Sequence, residues 1–195
     1  MTIGKGLGFI KEASKNSVSF LKVKSGEYAV IRFLVPTDEL ISVYEHTEQF
    51  NGSWKSVTCL GKNDCPICQA GKYPSFVTYI PVLDRTDNDR VKIFKASKKV
   101  GIQLLSLVEE YGDLTRRDFK LYRQGEKQQT TYQFFPRDPQ ELDLSQYEVP
   151  DIEAMVQPLS REAIIALMSG GVSDAPSGGA GRGDSTISND DDFPF

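Results

Sequence analysis

The chain has 195 residues, 39% of them hydrophobic and 26% charged, with a net charge of −4. That fits one globular domain plus a tail, within the ordinary soluble range. No apolar run approaches the ~20 residues of a membrane helix, and Met1-Thr2-Ile3-Gly4-Lys5-Gly6 has no signal-type apolar block, so a cytosolic address is expected.

In chain order, Tyr28 to Val35 reads as a buried strand ended by Pro36, with Leu40 to Glu45 available to pair with it. Phe76 to Leu83 is a second strong strand, in which Pro81 suggests an edge position or a bulge. The polar turn Asp84 to Asp89 leads into a third strand, Arg90 to Ser97. Lys98 to Tyr111 is the clearest helix: Val100, Leu104, Val108 and Tyr111 share one face, and Gly112 stops it. Asp118 to Arg123 and Thr130 to Phe135 flank Gln124-Gly125-Glu126-Lys127 as a hairpin, and a short helix capped by Ser160 runs to about Met168. The expected fold is mainly β with one or two helices, an OB-type Greek-key barrel over residues 1–168, or a generic small α+β domain.

Residues 1–137 carry 21 Lys and Arg against 15 Asp and Glu, whereas 138–195 carry 2 against 12. A mildly basic body with an acidic end suits a polyanion binder whose own end can compete for its groove. Residues 169–189 are rich in Gly, Ser, Ala and Asp and are expected to form a flexible linker, giving a disordered C-terminal tail. Beyond it, Asp190-Asp191-Asp192-Phe193-Pro194-Phe195 joins three carboxylates to two aromatic rings, a peptide suited to partner binding or self-masking; a solubility tail is the alternative.

All three cysteines and the single histidine fall between residues 46 and 68, as His46, Cys59, Cys65 and Cys68, with Cys65-Pro66-Ile67-Cys68 as a compact pair. Four N/S donors fit a closed, structural Zn2+ site in an insertion of about residues 44–73. A Cys-x-x-Cys redox pair would leave His46 and Cys59 unused, and unrelated buried thiols are the remaining reading.

The His/Cys/Cys/Cys set within a β-rich body, with Asp118-Phe119-Lys120-Leu121-Tyr122-Arg123 and Thr130-Thr131-Tyr132-Gln133-Phe134, resembles the T-even-type phage single-stranded-DNA-binding protein family. That resemblance implies an OB-fold, a structural zinc subdomain, a basic aromatic cleft and an acidic tail contacting replication, recombination or repair proteins in the cytoplasm of the bacterial host. No counterpart of the family's basic N-terminal arm is present, since Lys5, Lys11 and Lys15 are scattered, and the hexapeptide at 190–195 is similar instead to the tail of bacterial single-stranded-DNA-binding proteins.

Sequence-tolerant binding of single strands needs cations for phosphates and flat rings for bases. The zinc region offers Trp54, Lys55, Lys62, Lys72 and Tyr73. The first hairpin offers Tyr79, Arg90, Lys92, Phe94 and Lys95, with Lys92 and Phe94 on one face; the later region offers Arg116, Arg117, Lys120, Tyr122 and Arg123. Phe33, Phe76, Phe119 and Phe134 are expected in the core. The expected function is non-catalytic coating of single-stranded DNA. The alternatives are a zinc-containing phage nuclease, whose Mg2+ would fall to Asp84, Asp87 and Asp89 because His46 is committed to metal, and an RNA-binding or transcription-associated zinc module.

Overall fold

Closely spaced apolar and β-branched residues in the first half of the chain build strands that are buried along most of their length in β1 and β4. The computed structural model describes residues 18–170, and in it β1 (Tyr28–Phe33), β2 (Ile41–Phe50), β3 (Ser53–Thr58), β4 (Ser75–Asp84), β5 (Arg90–Ser97), β6 (Arg117–Gln124) and β7 (Thr131–Pro139) form one sheet. The order is β3-β2-β4-β1-β6-β7, all neighbours antiparallel, with β5 along the other edge of β4. Among the described residues four α-helices accompany it: α1 (Pro66–Gln69), α2 (Lys98–Tyr111), α3 (Ile152–Met155) and α4 (Arg161–Met168).

β4 organises the sheet. Its first half pairs with β2 (Ile41↔Tyr79) and its second half with β1 (Phe33↔Val82), so β1 and β2 share one edge of β4 instead of pairing with each other as the sequence suggested. The chain turns a corner between them at the 3-10 turn Thr37–Glu39. Pro81 sits opposite this corner. Its carbonyl accepts Leu34 N–H at 3.1 Å, and because a strand residue's N and C=O point to the same edge, the missing N–H falls where no ladder bond is needed. An edge position or bulge is therefore not required, and Pro81 lies inside a central strand.

The main core holds Ala29, Ile31 and Phe33 of β1, Ile80 and Val82 of β4, Phe94 and Ala96 of β5, Phe119 and Leu121 of β6, and Val100 and Leu104 of α2. The sheet curls until its far strands meet across this core. Phe94 of β5 lies edge-on to Tyr132 of β7 with centroids 5.1 Å apart, and Phe33 lies 5.5 Å from Phe119. No ladder joins β5 to β7 among the described residues, so the curled sheet is not closed. The outer edge of β5 is met by the N-terminal segment, where Leu21 N–H donates to Ile93 O at 2.8 Å.

Two smaller cores flank the main one. α3 covers the opposite face of β2, β4 and β5 through Ile152 and Val156, against Val77, Tyr79 and Ile93. The other groups Phe50, Val57, Cys65, Ile67 and Ile164, joining the β2–β3 hairpin and α1 to the distant α4. Ser160 caps α4 by accepting Ala163 N–H at 3.2 Å, as expected from sequence. The tail residues 190–195 and linker residues 171–189 lie outside the described residues.

Candidate functional site

The four candidate metal-donor residues come from three local structures. His46 projects from β2, Cys59 follows β3, and Cys65 and Cys68 are the N-cap and third residue of the single-turn helix α1, where Pro66 pre-sets the first-turn φ. Their donor atoms all lie within 4.8 Å of one another. Cys59 Sγ is 3.6 Å from Cys68 Sγ, and His46 Nε2 is 3.4 Å from both Cys65 Sγ and Cys68 Sγ. Tetrahedral edges built on ~2.3 Å metal–sulfur and ~2.05 Å metal–nitrogen bonds are about 3.8 Å (S···S) and about 3.6 Å (S···N), so these four residues could hold a metal ion with small adjustment.

The electrostatics favour a cation. Burial lowers the His46 imidazole against the opposing pull of the Glu48 carboxylate, with a smaller push from Lys72 in the same direction as burial, and favours the neutral form that ligates. Burial alone would raise the Cys65 thiol, but the N–H groups of Cys68, Leu60 and Ile67 bring it below its usual value. Cys68 is pushed up to about 12, first by burial and then by Cys59 and Cys65. The neighbouring sulfurs thus oppose ionisation of Cys68, and a cation bound among them would relieve that repulsion. Ile164 of α4, fully buried, packs in the core that carries Cys65, and Arg161 donates to Gln69 Oε1 at 3.0 Å. This support for the centre comes from nearly a hundred residues downstream of α1, beyond the 44–73 segment.

The residues predicted to contact nucleic acid scatter over several surfaces. Tyr79 is buried, donating its hydroxyl to Glu45 Oε2 at 2.6 Å, and burial raises its pKa. Phe94 is buried in the main core, and Arg123 is buried with Nη1 donating to Val23 O at 2.9 Å. These three are structural here, a correction to the expectation that they face a ligand. Lys92 is held by Asp84 and Asp87 at 2.8 and 2.7 Å, so it is not displayed beside Phe94 as alternation suggested. Lys95 is ion-paired with Glu45 at 2.6 Å, Lys72 with Glu48, and Arg90 with Asp87 at 3.7 Å. Asp89 pairs with Arg85 at 2.7 Å, so the three carboxylates named for Mg2+ all face cations of their own hairpin.

Trp54 and Lys55 lie on β3, a strand within the expected zinc insertion, and both are exposed; so are Lys62 and Tyr73. Arg116 is exposed near Glu141, and Arg117 stacks over the Tyr111 ring at 4.7 Å.

One arrangement gathers rings and a cation on a single plane. On the face of β1, β6 and β7 turned away from the core, Tyr28 pairs across from Tyr122, and Tyr122 from Gln133. In the adjacent same-face row, Val30 pairs with Lys120 and Lys120 with Phe135. Tyr28 is 53% exposed and Phe135 48%, and Lys120 Nζ lies 4.3 Å from the Tyr28 ring centroid. Sequence reasoning found Lys120 and Tyr122 but missed Tyr28 and Phe135. The signal was present: each is an aromatic residue at the strand parity opposite Ala29, Ile31, Leu121 and Phe134.

Among the described residues no helix is long and apolar enough to cross a membrane. Compared with models of protein families, with curated proteins and with solved structures, the chain matches none.

Proposed function

We propose that this chain binds single-stranded DNA without catalysis and with little sequence preference, as the resemblance to the T-even-type phage proteins implies. The observation that carries the reading is the strip of Tyr28, Tyr122, Lys120 and Phe135 on the solvent face of β1, β6 and β7. Same-face rows of adjacent strands lie about 4.8 Å apart across the sheet and about 6.7 Å apart along it, a flat surface of ring-sized steps. Every base has a π-face, so such rings accept any sequence, while Lys120 answers the phosphate charge. A duplex stacks its bases inward and offers these rings only its backbone.

The curled sheet is read as an OB-type barrel that meets across its core through Phe94, Tyr132 and Phe134. The ion is read as Zn2+ in a structural role: three thiolates and an imidazole from His46, Cys59, Cys65 and Cys68 are its preferred donors, and four protein ligands leave no position for a reactive water. Its chemistry there would be to fix β2, β3 and α1 together. Residues 190–195 serve as a docking peptide for replication, recombination or repair proteins of a bacterial host during phage growth.

The test is binding of full-length protein to single-stranded and duplex DNA of matched sequence across a salt series. Tighter single-strand binding that weakens as salt rises is expected. Equal binding or a duplex preference would overturn the reading, and tighter binding of single-stranded RNA would move it to the RNA-binding alternative. Metal analysis of the wild type and of Cys65→Ser checks the ion: one equivalent of zinc in the first and loss in the second.

A further inference from the structure

The outward face of α2 is unpartnered among the described residues. Val100 and Leu104 enter the main core, whereas Lys98, Ile102, Leu105 and Glu109 recur along the opposite stripe at helical spacing. Ile102 is 57% exposed and Leu105 65%, two aliphatic side chains one turn apart in water. Lys98 and Lys99 are exposed just before them, and neither is ion-paired among the described residues. The stripe thus reads basic, then apolar, then acidic at Glu109 and Glu110.

We propose that Asp190–Phe195 of the same chain seats on this stripe, its aspartates against Lys98 and Lys99 and Phe193 and Phe195 over Ile102 and Leu105. The two patterns match in order: three carboxylates then two rings, laid parallel to two ammonium groups then two aliphatic side chains. The reversed orientation would press the aspartates against Glu109 and Glu110. The positive end of the α2 dipole lies on the same side as the two lysines and adds to their pull on the carboxylates.

The reach also fits. Gly170, the last described residue, abuts Asn51 at the tip of the β2–β3 hairpin, where a Cβ built on the glycine would lie 3.3 Å from Asn51 Oδ1. At the other end of β2, Ser42 Oγ is 2.8 Å from Thr78 Oγ1, itself 3.9 Å from a Cβ built on Gly101 of α2. Asn51 lies nine residue steps beyond Ser42, just past the end of β2, which sets the span at about 30 Å. Twenty residues of Gly- and Ser-rich composition, from Gly170 to Asp190, have a root-mean-square reach of about 25 Å. A linker whose reach matches its span gives the highest effective concentration at the second site.

The inference stands apart from the nucleic-acid reading, since it uses no residue of the β1–β6–β7 strip. In the test, Phe193 is replaced by the photoreactive analogue p-benzoylphenylalanine in the full chain. Dilute protein is irradiated without DNA, and crosslinks are mapped by mass spectrometry in an equal mixture of 15N-labelled and unlabelled chains. Crosslinks to residues 98–111 of the same chain are expected, with yield falling at least fivefold in Leu105→Asp and in the double variant Lys98→Glu/Lys99→Glu. Both variants are at exposed positions, and an unchanged melting temperature verifies that they remain folded. Crosslinks to the Tyr28, Lys120 and Phe135 strip, crosslinks between differently labelled chains, no crosslink to α2, or a yield indifferent to both variants would each overturn the proposal.

Discussion

Ile164→Ala tests whether α4 belongs to the metal centre. Ile164 is fully buried against Phe50, Val57, Cys65 and Ile67, so truncation removes three carbons from a small core that cannot easily collapse around the hole. Buried Ile→Ala changes cost about 2 to 5 kcal/mol. Because this core and the donor set form together, metal binding is linked to its folding, and a local loss of about 3 kcal/mol transmitted in full weakens metal affinity about 150-fold. Chelator competition on the intact protein measures that affinity. Ile165→Ala, in the same helix but 41% exposed, serves as the control and should stay within about threefold of wild type. If Ile164→Ala binds metal as tightly as the control while both fold, α4 is only a neighbour and the coupling argued from its packing is wrong.

Tyr28→Ala and Phe135→Ala should each weaken single-strand binding by about 1 to 3 kcal/mol, roughly 5- to 150-fold, with little change in melting temperature; fluorescence anisotropy on a labelled oligonucleotide reads this out. Lys120→Ala should lower the slope of log affinity against log salt by about 0.7. Asp84 is buried, which alone would raise its carboxyl, but hydrogen bonds from Lys92 and Thr86 hold it below the usual range; Lys92, lowered by burial, is raised further by Asp84 and Asp87. A depressed acid contributes stability that is complete above its unfolded value near ~3.9 and is lost as pH falls through the folded value. A raised base contributes below ~10.4 and loses it as pH rises through its folded value. The urea-midpoint difference between wild type and Asp84→Asn should therefore be level from about pH 5 to 9 and shrink below about pH 4. Gly125 has φ +81° and a Cβ there would collide with the Gln129 backbone, so Gly125→Ala should lower unfolding free energy by about 1 to 3 kcal/mol or more in urea titration.

The strands β1, β4 and β5, the helix α2 and the Ser160 cap were legible because each is written in local periodicity or cap chemistry. The candidate donors were legible as a group because ligation admits few residue types, and the structure brings the four donor atoms within 4.8 Å of one another. β3 was not: Ser53-Trp54-Lys55-Ser56-Val57-Thr58 has little apolar content, and its strand form comes from pairing with β2 and from Val57 entering the smaller core. Tyr79 and Phe94 were misplaced for a related reason. Alternation separates the two faces of a strand, but it does not reveal that α3 covers one face while α2 and β7 cover the other. Pairing partners are similarly non-local, which is why β2 was assigned to β1 when both in fact lie along β4.

The packing of Ile164 beside Cys65 carries a consequence for how the protein is made. Synthesis delivers His46 and the cysteines early, yet the helix that seals their surroundings emerges about a hundred residues later. A nascent chain therefore holds its thiols in a pocket that is still open on one side, at a few to twenty residues per second. Metal acquired during that interval would sit in an exposed site and exchange readily. Completion of α4 would then act as a latch in time, turning a labile site into a durable one only when the body of the protein has been translated.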